Sequence, residues 1–179
     1  KYKIPIFDVI SSGVTAALRL NPKNLGVIGT NSTIASESYI RTIKRKNPKV
    51  RVHSKACPIF VPIIEQGLVN QKYYDKIIYE NLKFFINKKI DSLILGCTHY
   101  PLIKKNIQSC VGGDVVLIDS ASEVAGSLRE HLLKHHGNEF KKPDKKRSIF
   151  LTDKSEYFQS VVGKIFRKLD FKIKLVDLK

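Results

Sequence analysis

The sequence predicts an α/β fold in which helices flank a doubly wound parallel sheet. Apolar runs without polar alternation, at residues 93–95 and 115–118, are typical of strands buried on both faces. Residues 70–87 carry apolar side chains at helical spacing on one face. Strand-like and helix-like segments alternate along the whole chain, and this alternation indicates parallel strands joined by crossover helices.

The expected strands are short and separated by polar or proline-containing segments. Pro5 confines the first strand to a strand start or a sheet edge. Pro58 and Pro62 predict a loop over residues 56–62, followed at 63–67 by one turn of helix at most. In chain order, we expect strands at residues 4–10, 25–30, 50–54, 93–95, 115–119, 148–152 and 171–176.

Small polar residues that can cap a helix precede most of the expected helices. They are Ser11 or Ser12, residues 31–33 and Ser120, while Gly137 marks a helix end. In chain order, we expect helices from residue 11 or 12 to 20, over residues 31–46, 70–87, 120–135 and 155–169, and from Pro101 onward.

Composition limits the class of protein. The 179 residues suffice for one domain, or one domain and part of another. Three widely spaced cysteines form neither a disulfide framework nor a zinc site, which favours a reducing, cytoplasmic compartment. No apolar run approaches the roughly 18 residues of a membrane helix, and no signal-peptide pattern is present. Because methionine is absent, we expect the chain to be a fragment.

The net charge of +16 suggests nucleic-acid binding, but its distribution does not support it. Lysines are scattered along helix-like segments, and no RNA motif or DNA-reading helix is recognisable. Residues 141–147 form the one basic cluster, which is typical of a solvated loop. We therefore expect neither a dedicated nucleic-acid function nor membrane binding.

Cys97 is the main candidate for chemistry. It lies on a predicted turn between a strand and a helix, with His99 two residues further on. Ligands bind at the carboxyl ends of strands in open sheets, and helix N–H groups there favour anions. A reactive cysteine near a histidine is one interpretation, and a buried apolar cysteine beside a surface histidine is the other.

Other sites are less well supported. Residues 26–29, Gly-Val-Ile-Gly, lack the third glycine of a dinucleotide fingerprint, so we expect no cofactor. Three histidines lie near the expected end of a basic helix, where a histidine suits the negative end of the helix dipole: His131, His135 and His136. A metal site is the less favoured interpretation, because their spacing includes no acidic or cysteine ligand.

Three segments in a characteristic order resemble bacterial glutamate racemases. They are residues 26–34, residues 56–67 and residues 95–102, the last reading Leu-Gly-Cys-Thr-His-Tyr-Pro-Leu. The resemblance covers essentially the whole chain and is strongest from residue 26 to residue 120. It implies a cofactor-independent enzyme that interconverts L- and D-glutamate for peptidoglycan, with two cysteines on opposite faces of the substrate.

The resemblance also implies roles for particular residues. Cys97 matches the second catalytic cysteine, which serves the L-enantiomer, His99 assists its protonation, and Thr98 binds substrate. A thiolate close to the weakly acidic α-carbon can remove its proton once water is excluded and the carbanion is stabilised.

Glu65, Thr30 and Thr33 match further site positions of these racemases. Glu65 corresponds to an acidic active-site residue, although a lone glutamate is more often a surface carboxylate. Thr30 and Thr33 match hydroxyls near the substrate's charged groups, and they also suit helix capping. Cys57 is interpreted as a packing residue in a loop and Cys110 as filler at a helix end.

The chain departs from these racemases in lacking their Asp-Ser-Gly loop and their first catalytic cysteine, in an Ala-Cys-Asn-Thr-Ala segment. We therefore expect residues 1–9 to end a first domain, residues 10–119 to form a complete α/β domain, and residues 120–179 to return to the first. Such a chain is expected to be inactive alone, and either to self-associate through its incomplete part or to be poorly ordered there.

Two other functions stay open. Racemases of aspartate or hydantoin type share the two-cysteine chemistry, although they usually carry an acidic residue where His99 stands. A basic protein acting on DNA gyrase is the candidate from a different class. A homodimer also stays open.

Overall fold

A computed structural model describes residues 4–67, 72–137, 148–153 and 171–177. The chain divides into two compact units, Lys1–His131 and Leu132–Lys179. The first unit contains a four-stranded sheet in which every pairing is parallel and the order is β2-β1-β3-β4. Its strands are β1 (Asn24–Gly29), β2 (Arg51–Ala56), β3 (Ser92–Gly96) and β4 (Val116–Asp119).

Helices pack on both faces of this sheet, which confirms the predicted doubly wound α/β class. In chain order, the described helices are α1 (Val9–Arg19), α2 (Asn31–Ala35), α3 (Ser38–Lys46), α4 (Phe60–Glu65), α5 (Lys72–Asn87), a 3₁₀ helix (Tyr100–Ile103), α6 (Lys104–Val111) and α7 (Ser120–His136). Successive residues of β3 serve opposite faces: Leu93 and Leu95 pack with α4, α5 and α6, whereas Ile94 packs with α1 and α3.

The expected strand at residues 4–10 and the serine cap after it are wrong. Residues 4–8 form no strand, and the side chains of Ile4 and Ile6 are exposed. Helix α1 begins at Val9 because Asp8 caps it, its Oδ1 accepting a 2.7 Å hydrogen bond from the backbone N–H of Ser11. That hydrogen bond lowers the pKa of Asp8.

The helix expected over residues 31–46 is broken into α2 and α3. Glu37 adopts a left-handed conformation with φ of 50°, which ends the helical path. The Ser36 hydroxyl donates to the carbonyl of Thr33 at 2.8 Å and lies 3.0 Å from the Ser38 hydroxyl. Small polar side chains thus satisfy this break and set the direction in which α3 leaves it.

Two other local expectations were also wrong. A six-residue helix, α4, begins at Phe60 within the expected loop, and it tolerates Pro62 because no intrahelical N–H bond is needed in a first turn. At the start of α7, the capping acceptor is Asp119 rather than Ser120, since its carboxylate accepts from the N–H groups of Ala121 and Ser122.

The second unit has a parallel pair of strands, β5 (Ser148–Leu151) and β6 (Lys172–Leu175), as the sequence predicts. Gly137, with φ of 49°, follows α7 as the predicted helix end. The basic cluster at residues 141–147 and the helix expected at 155–169 lie outside the described residues. The division into residues 1–9, 10–119 and 120–179 stays a prediction.

Candidate active site

Polar and thiol side chains of the candidate site lie at the carboxyl edge of the four-stranded sheet. In register, Gly29 of β1 lies between Ala56 of β2 and Gly96 of β3. Thr30 and Cys57 therefore follow neighbouring strands at the same level as the candidate cysteine of β3. This is the edge at which parallel α/β sheets bind ligands.

Cys97, His99 and Glu65 lie in line at this edge. The thiol Sγ of Cys97 is 3.9 Å from Nδ1 of His99, whose Nε2 is 3.3 Å from Oε1 of Glu65. The histidine and glutamate side chains are 32% and 39% exposed, so the line faces the solvent side of the edge. With Nε2–H directed at the carboxylate, Nδ1 can accept the thiol proton.

Packing between α4 and the 3₁₀ helix brings Glu65 to His99. The fully buried Tyr100 stacks edge-on against Phe60, with ring centroids 5.4 Å apart. Its hydroxyl donates a 2.9 Å hydrogen bond to the carbonyl of Cys57, the residue that precedes the turn into α4. Glu65, at the other end of α4, is thereby held beside the histidine.

The three predicted threonines occupy two places. Thr30 caps α2: its Oγ1 accepts from the N–H of Thr33 at 3.3 Å, and the two hydroxyl oxygens are 3.0 Å apart. Thr98 instead lines a small cavity together with Cys97. The capping interpretation thus holds for Thr30, and substrate contact by all three stays a prediction.

The other two cysteines have different surroundings. Cys57 is fully buried in the core, its thiol directed at the carbonyl of Lys55 at 3.9 Å, and burial raises its pKa to about 12. Cys110 is half-buried near the end of α6, and burial raises its pKa as well. Both positions agree with the predicted packing roles.

The histidines of α7 differ in their surroundings. The ring of His131 contacts Phe7 edge-on at 5.2 Å, and His135 and His136 are exposed. Within the described ranges, no three His, Cys, Asp or Glu side chains are grouped closely enough to hold a metal ion. In those same ranges, no helix is both long and apolar enough to cross a membrane.

Sequence reasoning missed Tyr39 and Ser120. They line the cavity of about 60 Å³ beside Cys97, together with Val9, Leu95, Gly96, Thr98, Asp119 and Ala121. Their hydroxyl oxygens are 3.3 Å apart although the residues are 81 positions apart in the chain. A tyrosine on the apolar face of α3 was the one available signal, and it is equally typical of core packing.

Comparison with known proteins assigns the family. A family described as Asp/Glu/Hydantoin racemase matches residues 1–128. The chain belongs to this racemase family. Among curated members, it is 36% identical to glutamate racemase 2 of Caldanaerobacter subterraneus subsp. tengcongensis over 99% of the chain and 67% of the relative. It is 39% identical to the glutamate racemase of Aquifex aeolicus over 90% of the chain and 60% of the relative.

Solved structures of racemases share the fold. A glutamate racemase from Francisella tularensis, solved in complex with D-glutamate, superposes with a TM-score of 0.86 at 34% identity, over 98% of the chain and 65% of that protein. A glutamate racemase isoform from Bacillus anthracis superposes with a TM-score of 0.87 at 32% identity, over 99% of the chain and 66% of that protein. The racemase chain described here thus spans between about half and two thirds of the relatives it matches.

Proposed function

We propose that this chain carries the half of a glutamate racemase site that acts on L-glutamate. The observation that carries the proposal is the line of Cys97, His99 and Glu65 at the carboxyl edge of the sheet. The relatives named above as glutamate racemases support glutamate as the substrate, as does the relative solved with D-glutamate.

The proposed proton path begins at the thiol. His99 Nδ1 takes the proton of Cys97, and the carboxylate of Glu65 stabilises the resulting imidazolium. The thiolate then removes the α-proton of L-glutamate and becomes a thiol again, leaving a carbanion at the α-carbon. A second thiol on the opposite face donates its proton to that carbon, which yields D-glutamate and a thiolate.

Hydroxyl groups stabilise the charge that develops during this transfer. We assign binding of the substrate's charged groups to Thr98, which lies in the cavity beside the thiol, and to the Thr30 and Thr33 pair at the end of β1.

The chain by itself is proposed to be inactive in racemisation. The sequence has three cysteines, of which Cys57 is buried and Cys110 lies near the end of α6, away from the carboxyl edge. Neither can present a second thiol to the face of the substrate opposite Cys97. A complete enzyme of this type would supply D-glutamate for peptidoglycan and cell shape, and it would act in a reducing cytoplasm that keeps its thiols free.

Circular dichroism of L-glutamate solutions tests the proposal. The chain alone is expected to give no change in ellipticity, whereas a chimera that joins this chain to the third of the Caldanaerobacter relative that the match does not cover is expected to racemise glutamate. Cys97→Ala in the chimera should lower turnover at least about 10³-fold, because the base for the L-enantiomer is lost.

Two results would contradict the proposal. Sustained racemisation by the chain alone would refute the missing-thiol argument. A chimera that is folded but racemises L-aspartate in preference to L-glutamate would assign the site to another substrate of the same family.

A further inference from the structure

Two buried hydroxyl groups meet beside the cavity that Cys97 lines. Tyr39 lies in the first turn of α3 and Ser120 begins α7, and each is only 4% exposed. Their hydroxyl oxygens are 3.3 Å apart. Neither residue takes part in the proposed proton path, and both line the same small cavity as the candidate base.

The ring of Tyr39 supports the residue that precedes Cys97. A Cβ placed on Gly96 would lie 3.0 Å from Cε2 of the tyrosine and 2.7 Å from the carbonyl oxygen of Ile28. Glycine at this position therefore allows the ring to approach the backbone of the turn directly. The turn that carries Cys97 therefore packs directly against the ring of Tyr39.

Ser120 is held from the opposite side by α1. A Cβ placed on Gly13 would lie 2.3 Å from the Ser120 hydroxyl oxygen, so the backbone of α1 approaches the serine as closely as a glycine permits. The serine can therefore fix the Tyr39 hydroxyl against α1 and α7. The break between α2 and α3 at Glu37 aims the first turn of α3 toward this point.

The hydroxyls of Tyr39 and Ser120 have one O–H donor that the hydrogen bond between them does not use. Two hydroxyls carry two O–H groups, and one O–H suffices for the bond between them. Across the residues that the structure describes, neither of the two side-chain hydroxyls has another hydrogen-bond partner. The second O–H can point into the cavity, where its dipole favours a negative charge on sulfur.

Tyr39 stays in the form that can donate. Burial raises the pKa of its phenol, the hydrogen bond with Ser120 offsets part of that rise, and the negative charges of Asp8 and of a Cys97 thiolate raise the pKa further. The neutral hydroxyl is therefore retained when the thiolate forms.

We propose that Tyr39 is a positioning residue for Cys97, and that Ser120 holds its hydroxyl so that the pair favours the thiolate. This inference deepens the proposed function and rests on it for the role of Cys97 in catalysis. The reactivity of the thiol can nevertheless be measured without turnover, so the two proposals can fail separately.

Alkylation of the full chain by iodoacetamide tests the inference. The rate at Cys97 is followed by mass spectrometry of its peptide across a range of pH, in the parent chain, Tyr39→Phe, Ser120→Ala and the double variant. Each single variant should react about 3- to 10-fold more slowly near neutral pH, with the pH profile displaced upward. The double variant should lose no more than a single one, because both break the same hydrogen bond.

Ile43→Val is the matched control for a merely structural effect. Ile43 is buried on α3 one turn beyond Tyr39 and belongs to the same apolar cluster. Its truncation lowers stability without touching either hydroxyl, so the alkylation rate at Cys97 should not change.

Three outcomes would overturn the inference: unchanged rates in folded Tyr39→Phe and Ser120→Ala, losses that add in the double variant, or an equal loss in Ile43→Val. Slower alkylation in both single variants, combined with a folded chimera that fails to racemise glutamate, would retain this inference and reject the proposed function.

Discussion

Cys57 and Cys97 each follow one of the two strands that flank β1, at the same edge of one sheet. Their burial and their neighbouring groups nevertheless differ. Cys57 is fully buried, and the Tyr100 hydroxyl binds its carbonyl. Cys97 is half-buried and lies 3.9 Å from a histidine nitrogen. We therefore expect a cysteine at the carboxyl end of a parallel strand to be reactive only where the following turn leaves it accessible and supplies a base.

The largest expected difference between the two cysteines is in alkylation rate. With a pKa of about 12, Cys57 has a thiolate fraction on the order of 10⁻⁵ to 10⁻⁴ near neutral pH, and burial also excludes the reagent. Cys97 should react with iodoacetamide at least about 100-fold faster, as measured by peptide mass spectrometry. The same measurement after unfolding in urea is the control. Equal rates in the folded protein would remove the contrast.

Replacement of His99 should bring the alkylation rate of Cys97 closer to that of Cys57. We expect His99→Gln to slow alkylation of Cys97 about 10-fold near neutral pH, because the neutral amide cannot take the thiol proton. Glu65→Gln should cause a smaller loss, about 2- to 5-fold, because it removes the carboxylate that orients the ring and stabilises the imidazolium but leaves the base itself in place. His136→Gln, on the exposed end of α7, is the matched control. A larger effect of Glu65→Gln than of His99→Gln would contradict the proposed order of roles.

The hydroxyl of Tyr100 stabilises the turn at Cys57. Tyr100→Phe keeps the ring contact with Phe60 but leaves the carbonyl of Cys57 without this donor. We expect the free energy of unfolding to fall by about 1–2 kcal/mol, measured by urea denaturation. Tyr79→Phe, on the exposed face of α5, is the control and should change it little. An unchanged unfolding midpoint in Tyr100→Phe would show that the bond does not hold this turn.

The smallest expected effect concerns the acid stability of β2, the strand that precedes Cys57. Burial lowers the pKa of His53, and Lys88 and Arg51 lower it further. The unfolded chain therefore binds more protons between this lowered pKa and the ordinary value of about 6.5, so stability falls as pH drops through that window. His53→Gln should lose less stability than the parent chain between pH values of about 7.5 and 5.5, by urea denaturation. If the parent chain and His53→Gln lost the same stability on acidification, His53 would be excluded as the source of that loss.

The parts of the site that sequence reasoning predicted are close together in the chain. Cys97 and His99 are two residues apart, and the strand and turn that carry them follow from local pattern. Glu65 was suggested by resemblance, and it is the packing of Phe60 against Tyr100 that brings it near. The error at residues 4–10 has a related cause, because a strand requires a neighbour to pair with and the pattern alone does not supply one.

The sequence by itself determined the α/β class, the buried strand β3 and the position of Cys97 after it, since apolar periodicity and turn residues act over a few neighbouring positions. It did not determine the burial of the run at residues 115–118, where Val116 is 47% exposed. Only the tertiary structure decided that Cys57 is enclosed and that Tyr39 meets Ser120. Those features depend on which elements pack across the sheet, and contacts between positions 81 residues apart leave no local pattern in the chain.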